Sequence, residues 1–505
     1  MKTALNGVTL LECMQLIRNI FRNIFFVVCC FAFFSCSQIS GIINFETDEV
    51  VLKKDVEPPP PEKEEPPAFS NMENPSEPAL KERLWTILVY MCADNDLEAS
   101  AMEDLCEMEF SDLNTDSVTV IALVDRSPSY DTSYDNWYGS RLYKLKTGRE
   151  SDSKFLISQE IECRDLGLEV GKEIELDMSS SYVLSSSLMY ARKKFPANNY
   201  GLIIWGHGTG WRSSETETET ACDVSAPSGI FKGFSYDGSS GTYMTLYQTG
   251  EGIRSGLNGM KLDFLGFDTC YGAELEVLYE LKDHAKLCVG SEGLISSSGW
   301  NYQELFSSFE KSGKTASDLC SSVLNQFKNQ YAYKTGASIV CVDMEQVSPF
   351  FEVCNTFWDY SAQKIDCRKV RDDVMGLLYS SSACKVKRYS YGAGGSDVYL
   401  DVSSMMSALT SYFSVSEISE RYAAFEAVRD SCIKESWASD GMNGGIGVYF
   451  STLNDSANLC SSHPAAYKKG ACADQISFVN ECSGYVPCEN DGKSFLTKLF
   501  YTQFL

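Results

Sequence analysis

The chain has 505 residues, of which 44% are hydrophobic and 12% aromatic, enough apolar material for a large packed interior. A formal charge of −26 argues against a nucleic-acid partner, because phosphate binding needs a basic face. Twenty cysteines without a Cys-x-x-Cys pair give no support to a structural zinc site.

Residues 1–35 read as an export signal. Arg18 and Arg22 precede an apolar stretch, 24–34, that is too short to span a bilayer comfortably. It ends at Ser35-Cys36-Ser37, and this layout resembles a bacterial lipoprotein signal. The resemblance would make Cys36 the lipidated first residue of the mature chain and anchor it to a membrane. Simple secretion and an uncleaved anchor are the other readings, and Met14 is an alternative start. Residues 36–83 form a tether, whose Pro/Glu run at 57–67 cannot pack a core and favours extended polyproline conformations. A single globular domain is expected over 84–505.

Within that domain strand and helix signals alternate. Residues 85–92 are a continuous apolar run, and Asp94-Asn95-Asp96 then makes a loop that caps a helix to about Phe110. A second strand at 118–124 is followed by an expected hairpin at 134–146 and a helix at 181–194. Further strands are expected at 200–205, 262–267 and 287–290, with a helix from about Ala273 to His284 after the second of these. Residues 337–342 and 446–450 complete the strand-like runs. Repeated β-then-α units predict an α/β fold with a mostly parallel sheet covered by helices on both faces. The acidic segment 213–229 reads as an exposed loop, with Arg212 or Lys232 as alternative maturation cuts. Cys460, Cys472, Cys482 and Cys488 sit in a loop-rich stretch suited to disulfides.

Two residues carry the chemistry. His207 lies between glycines just after the strand at 200–205, and Cys270 follows the strand at 262–267 in Asp268-Thr269-Cys270. In open α/β sheets functional groups collect at the carboxyl ends of strands, and an imidazole there can activate a thiol as a nucleophile. The other two histidines have blander contexts: His284 ends a helical stretch and His463 sits in a loop. A helix starting soon after Cys270 would place its N-terminus near the sulfur and favour thiolate. The backbone amides of Gly208 and Cys270 are candidates for an oxyanion hole.

His-Gly after one strand and Asp-x-Cys after a later one resemble the clostripain family of cysteine peptidases. Tyr90 to Glu98, Gly290 to Gly293, Gly299 to Tyr302 and the closing Phe500 to Leu505 are also similar to segments of that family. The resemblance implies a caspase-hemoglobinase-like α/β/α sandwich and a cysteine endopeptidase working through a Cys270–His207 dyad on protein or peptide substrates. It further implies that Asp268 lies at the floor of a pocket for Arg or Lys; a helix-capping role is the alternative. Thr269 and Tyr271-Gly272 depart from the family's usual Ala and Leu-Met, and 296–298 carries no second pocket acid. No cofactor is certain; calcium is a candidate because some relatives need it, although no EF-hand-like loop is present. The competing reading is an inactive surface lipoprotein of the same fold, serving as a binding module.

Overall fold

The computed structural model describes residues 83–211, 233–379, 386–391, 397–441, 445–450, 477–482 and 494–500. The expected signal at 1–35, Cys36 and the tether up to residue 82 lie outside this set. So do Arg212 and Lys232 with the loop between them, Cys460, His463, Cys472, Cys488 and residues 501–505.

In chain order, β1 (Arg83–Ala93) leads to α1 (Glu98–Phe110), β2 (Val118–Arg126), β3 (Gly139–Lys144), β4 (Gln159–Glu160), α2 (Ser181–Lys194) and β5 (Ala197–Trp205). A small hairpin of β6 (Phe234–Asp237) and β7 (Thr242–Met244) precedes α3 (Leu246–Gly256), β8 (Leu262–Asp268), α4 (Leu275–Leu281) and β9 (Ala285–Gly290). The chain continues through α5 (Tyr302–Glu310), α6 (Ala316–Tyr331), β10 (Ser338–Asp343), α7 (Val347–Lys364) and α8 (Arg368–Tyr379). Next come β11 (Arg388–Tyr391), β12 (Asp397–Asp401), α9 (Val402–Phe413), α10 (Ser416–Cys432), β13 (Ile433–Ala438) and β14 (Gly447–Tyr449). Two short helices, α11 (Ser477–Glu481) and α12 (Phe495–Phe500), lie near the C-terminus.

Nine strands form the main sheet in the order β13-β10-β9-β8-β5-β1-β2-β3-β4. The five central strands, β9 to β2, are mutually parallel, and β10 and β3 flank them antiparallel. Both faces of the central strands are covered, which is why their sequences are apolar without alternation. Along β1, Trp85, Ile87, Val89 and Met91 pack with Leu105 of α1, Phe306 of α5 and Phe327 of α6. Leu88, Tyr90 and Cys92 face the opposite layer with Leu184 of α2, Ile253 of α3 and Phe351 of α7. The architecture is therefore the mostly parallel α/β/α sandwich expected from the sequence. Many of the cysteines serve this interior: Cys92, Cys288, Cys341 and Cys354 are buried thiols without a bridge.

Two local expectations need correction. Residues 134–146 do not form a hairpin. Tyr134, Asp135 and Asn136 all have positive φ in a short turn, and β3 pairs antiparallel with β2 instead. The helix expected from Ala273 to His284 spans only Leu275–Leu281.

The order β2-β1-β5 contains the sheet's topological switch point. After β4 the chain returns on the other side of β1, so the carboxyl ends of β1 and β5 lie side by side at the point where ligands of open α/β sheets bind in the crevice outside the strand ends. Asp96, His207 and Cys270 gather at this edge of the sheet.

Candidate active site

β5 and β8 are neighbours in parallel register, with Trp205 opposite Asp268. His207 and Cys270 each stand two residues beyond that pair, so the topology brings both to one edge of the sheet. The Gly206 amide donates to the Asp268 carbonyl at 3.3 Å and extends the pairing past the strand end. Gly206 has φ +130°, and a Cβ there would lie 2.8 Å from the Cys92 carbonyl oxygen. Gly208 is constrained differently: a Cβ would meet the Cys270 carbonyl oxygen at 2.6 Å and Thr269 Oγ1 at 2.8 Å. Only a residue without a side chain lets the His-Gly loop lie directly against the Thr-Cys loop.

Each functional side chain is held by its outer neighbour. His207 Nε2 lies 2.7 Å from Asp96 Oδ1, and this pair is part-exposed at the crevice mouth. The contact holds the Asp96 carboxyl below its ordinary range, mainly through the hydrogen bond to the imidazole. Asp96 was expected to help cap α1. Instead Asn95 Oδ1 accepts the Leu97 amide at 3.0 Å, while Asp96 turns to the imidazole. Sequence reasoning missed this partnership, although the loop carrying it, Asp94-Asn95-Asp96, stood out after the first strand.

On the other side, the half-buried Cys270 Sγ accepts the Ile295 amide at 3.2 Å. The sulfur does not lie at a helix N-terminus, because α4 begins five residues later with Glu274 at its N-cap position. Tyr271 takes a positive φ of 58°, and the Tyr271 and Ala273 amides donate to the carbonyls of Gly293 and Ser291. The segment after the cysteine is thus tied to the loop after β9 before the helix can start. A buried aromatic residue at positive φ is strained, and such strain is typical of positions fixed for function. Without helix amides, burial dominates and pushes the Cys270 thiol up to about 11, with the Asp268 charge adding to the rise. The expectation of a lowered thiol pKa is therefore corrected.

Asp268 ends β8 and is buried. Its Oδ2 accepts from the Trp300 amide at 3.1 Å and from the Tyr302 hydroxyl at 3.0 Å, so it does not cap α4. Its Oδ1 is buried without a hydrogen-bond partner among the described residues. Gly299 passes so close that a Cβ would sit 2.8 Å from Oδ2. Burial raises this carboxyl to about 7. Two more carboxylates approach from α1. Asp104 Oδ2 accepts from the Trp205 indole at 2.7 Å, and a Glu107 carboxylate oxygen accepts from the Tyr302 amide at 2.9 Å. Burial, with Asp268 next, raises Asp104 as well. Residues 104 and 107, which the i, i+3 spacing places on one helix face, thus bring two further carboxylates toward Asp268, where 296–298 carries none.

A cavity of about 370 Å³ opens on the Ile295 side of Cys270, lined by Tyr271, Ile295, Ser296, Tyr331, Lys334 and Arg388 among others. Asp268 is not part of its lining. His284, as expected, is remote from this edge: it follows α4, and Gly250 of α3 packs against its ring.

A family model described as the clostripain family matches residues 89–467. Clostripain from Hathewaya histolytica is 26% identical over 246 residues, which cover 46% of this chain and 44% of that protein. The match therefore spans less than half of the curated relative's length. Two solved structures share the fold. An inactive zymogen C11 protease from Parabacteroides distasonis has a TM-score of 0.51 at 19% identity, covering 77% of this chain and 98% of its own. A secreted C11 cysteine protease from Bacteroides thetaiotaomicron, in complex with an irreversible peptide inhibitor, has a TM-score of 0.50 at 18% identity. That likeness covers 78% of this chain and 99% of the other.

Proposed function

The chain belongs to the clostripain family, and on that premise we propose that it is a cysteine endopeptidase in which Cys270 is the nucleophile and His207 the general base and acid. The observation that carries the proposal is the abutment of the His207-Gly208 and Thr269-Cys270 loops at the crevice. The competing reading, an inactive binding module, gives no reason for a thiol and an imidazole to be carried on touching loops.

In the proposed mechanism a substrate carbonyl enters between the two loops. The thiol is stored neutral, since burial holds it up to about 11. The imidazole therefore takes the Sγ proton as the sulfur attacks the carbonyl carbon. With Nε2 held by Asp96, Nδ1 is the nitrogen assigned to this transfer. The backbone N–H groups of Gly208 and Cys270 would receive the developing oxyanion. Collapse breaks the C–N bond, His207 returns the proton to the leaving amine, and a thioester remains on Cys270. Water, deprotonated by the same imidazole, then releases the acid and restores the thiol.

Asp96 acts here as a positioning residue. Asp96→Asn is expected to lower kcat about tenfold with KM nearly unchanged, because the carboxylate orients the imidazole without touching substrate. A rise in KM with constant kcat would assign Asp96 to substrate binding instead.

The carboxylates of Asp268, Asp104 and Glu107 support cleavage after Arg or Lys, since a substrate cation would relieve their mutual repulsion. A panel of fluorogenic peptides with Arg, Lys, Asp or Leu before the scissile bond tests this. The Arg and Lys peptides are expected to be cleaved with kcat/KM at least about a hundredfold above the others. Equal rates across the panel would reject the basic preference, and no cleavage of any peptide would reject the peptidase.

Export, with Cys36 as a lipid anchor, is proposed from the layout of residues 1–36 alone. No described helix is long and apolar enough to cross a membrane.

A further inference from the structure

We propose that the cavity beside Ile295 is a subsite for an acidic side chain in the acyl half of a peptide substrate, with Lys334 and Arg388 as its recognition residues. This rests on the peptidase reading above and adds a second specificity to it. Strand order sets the direction. The main sheet runs β9-β8-β5, so the loop bearing Ile295 and the loop bearing His207 leave it on opposite sides of Cys270. The imidazole delivers its proton to the leaving amine, so the leaving half of the substrate lies toward His207. The acyl half then lies toward Ile295, whose amide donates to Cys270 Sγ at 3.2 Å and which itself lines the cavity.

The cavity holds about 370 Å³, within the range of about 300–1,000 Å³ usual for ligand pockets. Phe327 and Tyr331 of α6 and Tyr389 of β11 supply its aromatic wall. Gly293 lets Tyr389 close on the loop after β9, since a Cβ there would collide with the Tyr389 ring. Lys334 Nζ stands at this wall, 3.3 Å from Ser296 Oγ and 5.2 Å from the centre of the Tyr331 ring. The hydroxyl takes one ammonium proton and leaves the others for a ligand. Arg388 lines the same cavity and is half-buried; its Nη1 donates to the Tyr379 carbonyl at 2.5 Å, which fixes one edge of the guanidinium.

Charge complementarity names the occupant. No residue lining the cavity is Asp or Glu, and among the described residues neither Lys334 nor Arg388 is in an ion pair. The adjacent Lys387 is the contrast: it pairs with Glu292 at 3.7 Å and Asp440 at 3.5 Å. In a chain of net charge −26, two cations gathered without an acid reverse the sign of the local field. Partial enclosure by protein strengthens their attraction for an anion over that of an open surface. The aromatic and aliphatic walls suit the methylene stem of a glutamate, and the two cations suit its carboxylate. Asp268, to which the residue directly before the scissile bond is assigned, is not part of this lining. The acidic residue is therefore one that precedes it.

The test uses peptides with Arg before the scissile bond and Glu, Gln or Lys at each of the three preceding positions. Fluorescence anisotropy of the full chain carrying Cys270→Ala reads binding, and steady-state kinetics of the parent protein reads cleavage. At one of these positions Glu is expected to bind about tenfold tighter than Gln, and to lower KM about tenfold with kcat little changed. Lys334→Gln and Arg388→Gln, each added to either background, are expected to remove most of that advantage. Lys334→Glu alters an exposed residue that the fold does not need, and it is expected to pass the advantage to the Lys peptide. Equal affinity for Glu and Gln at all three positions would overturn the subsite, as would a Glu advantage that every variant leaves unchanged. Binding separates the two claims. A chain that prefers the Glu peptide yet cleaves none rejects the peptidase and keeps the cavity's specificity; one that cleaves without that preference keeps the peptidase and loses the subsite.

Discussion

Cys270→Ala is expected to lower kcat/KM for a cleaved peptide by at least about 10⁴-fold, equivalent to about 5.5 kcal/mol of transition-state stabilisation. His207→Ala is expected to do nearly the same, because neither group completes acyl transfer without the other. The double variant should lose little beyond either single one, as residues acting as a unit are strongly non-additive. Stability should move little in the cysteine variant. The sulfur accepts one amide, from Ile295 at 3.2 Å, and its loss costs on the order of 1 kcal/mol. Measured kcat/KM alongside Tm separates the two effects. A tenfold or smaller loss of activity in folded Cys270→Ala protein would remove Cys270 from the chemistry.

Asp268→Asn is expected to act on specificity and stability in opposite directions. If the carboxylate receives Arg or Lys, its neutralisation should lower kcat/KM for those peptides by about 10²- to 10³-fold. Peptides with Leu at the same place should be affected far less. The free protein should become more stable at alkaline pH. Burial raises the Asp268 carboxyl from 3.8 to about 7, so the folded state binds its proton more tightly than the unfolded chain does. Its contribution is then greatest below about pH 3.8 and is lost as pH rises through about 7. Asparagine stays neutral and can still accept from the Trp300 amide and the Tyr302 hydroxyl. Tm at pH 8 is expected to rise by about 3 °C, with a smaller gain at pH 5. A variant less stable at pH 8 than the parent would show that the ionised carboxylate is supported by its surroundings. Unchanged Arg and Lys cleavage would place the specificity pocket elsewhere.

The parallel core and the meeting of the His207 and Cys270 loops were legible because their signals are local. Apolar runs ending at Gly206 and at Asp268 mark strands buried on both faces, and the edge of such a sheet is where a histidine and a cysteine can meet. What stayed hidden depends on neighbours distant in sequence. No periodicity indicates that Asp96, on the loop after β1, turns to His207 rather than capping α1. That outcome follows from strand order, which sets the β1 and β5 loops side by side across the switch point. The contribution of Asp104 and Glu107 was hidden for the same reason: their spacing defines a helix face, but not the strand end it covers. The short α4 was misjudged because Tyr271 accepts a left-handed conformation, and the segment after Cys270 first pairs with the loop after β9. That pairing also removes the helix-terminal amides that would have favoured a thiolate.

The most direct measurement is to treat the folded protein with an irreversible peptidyl thiol reagent bearing Arg or Lys at the reactive end, and to map the modified residue by peptide mass spectrometry. One adduct on Cys270, formed in the parent protein and lost in His207→Ala, is the predicted result. An adduct on another cysteine, or equal labelling of Cys270 with and without the imidazole, would contradict it.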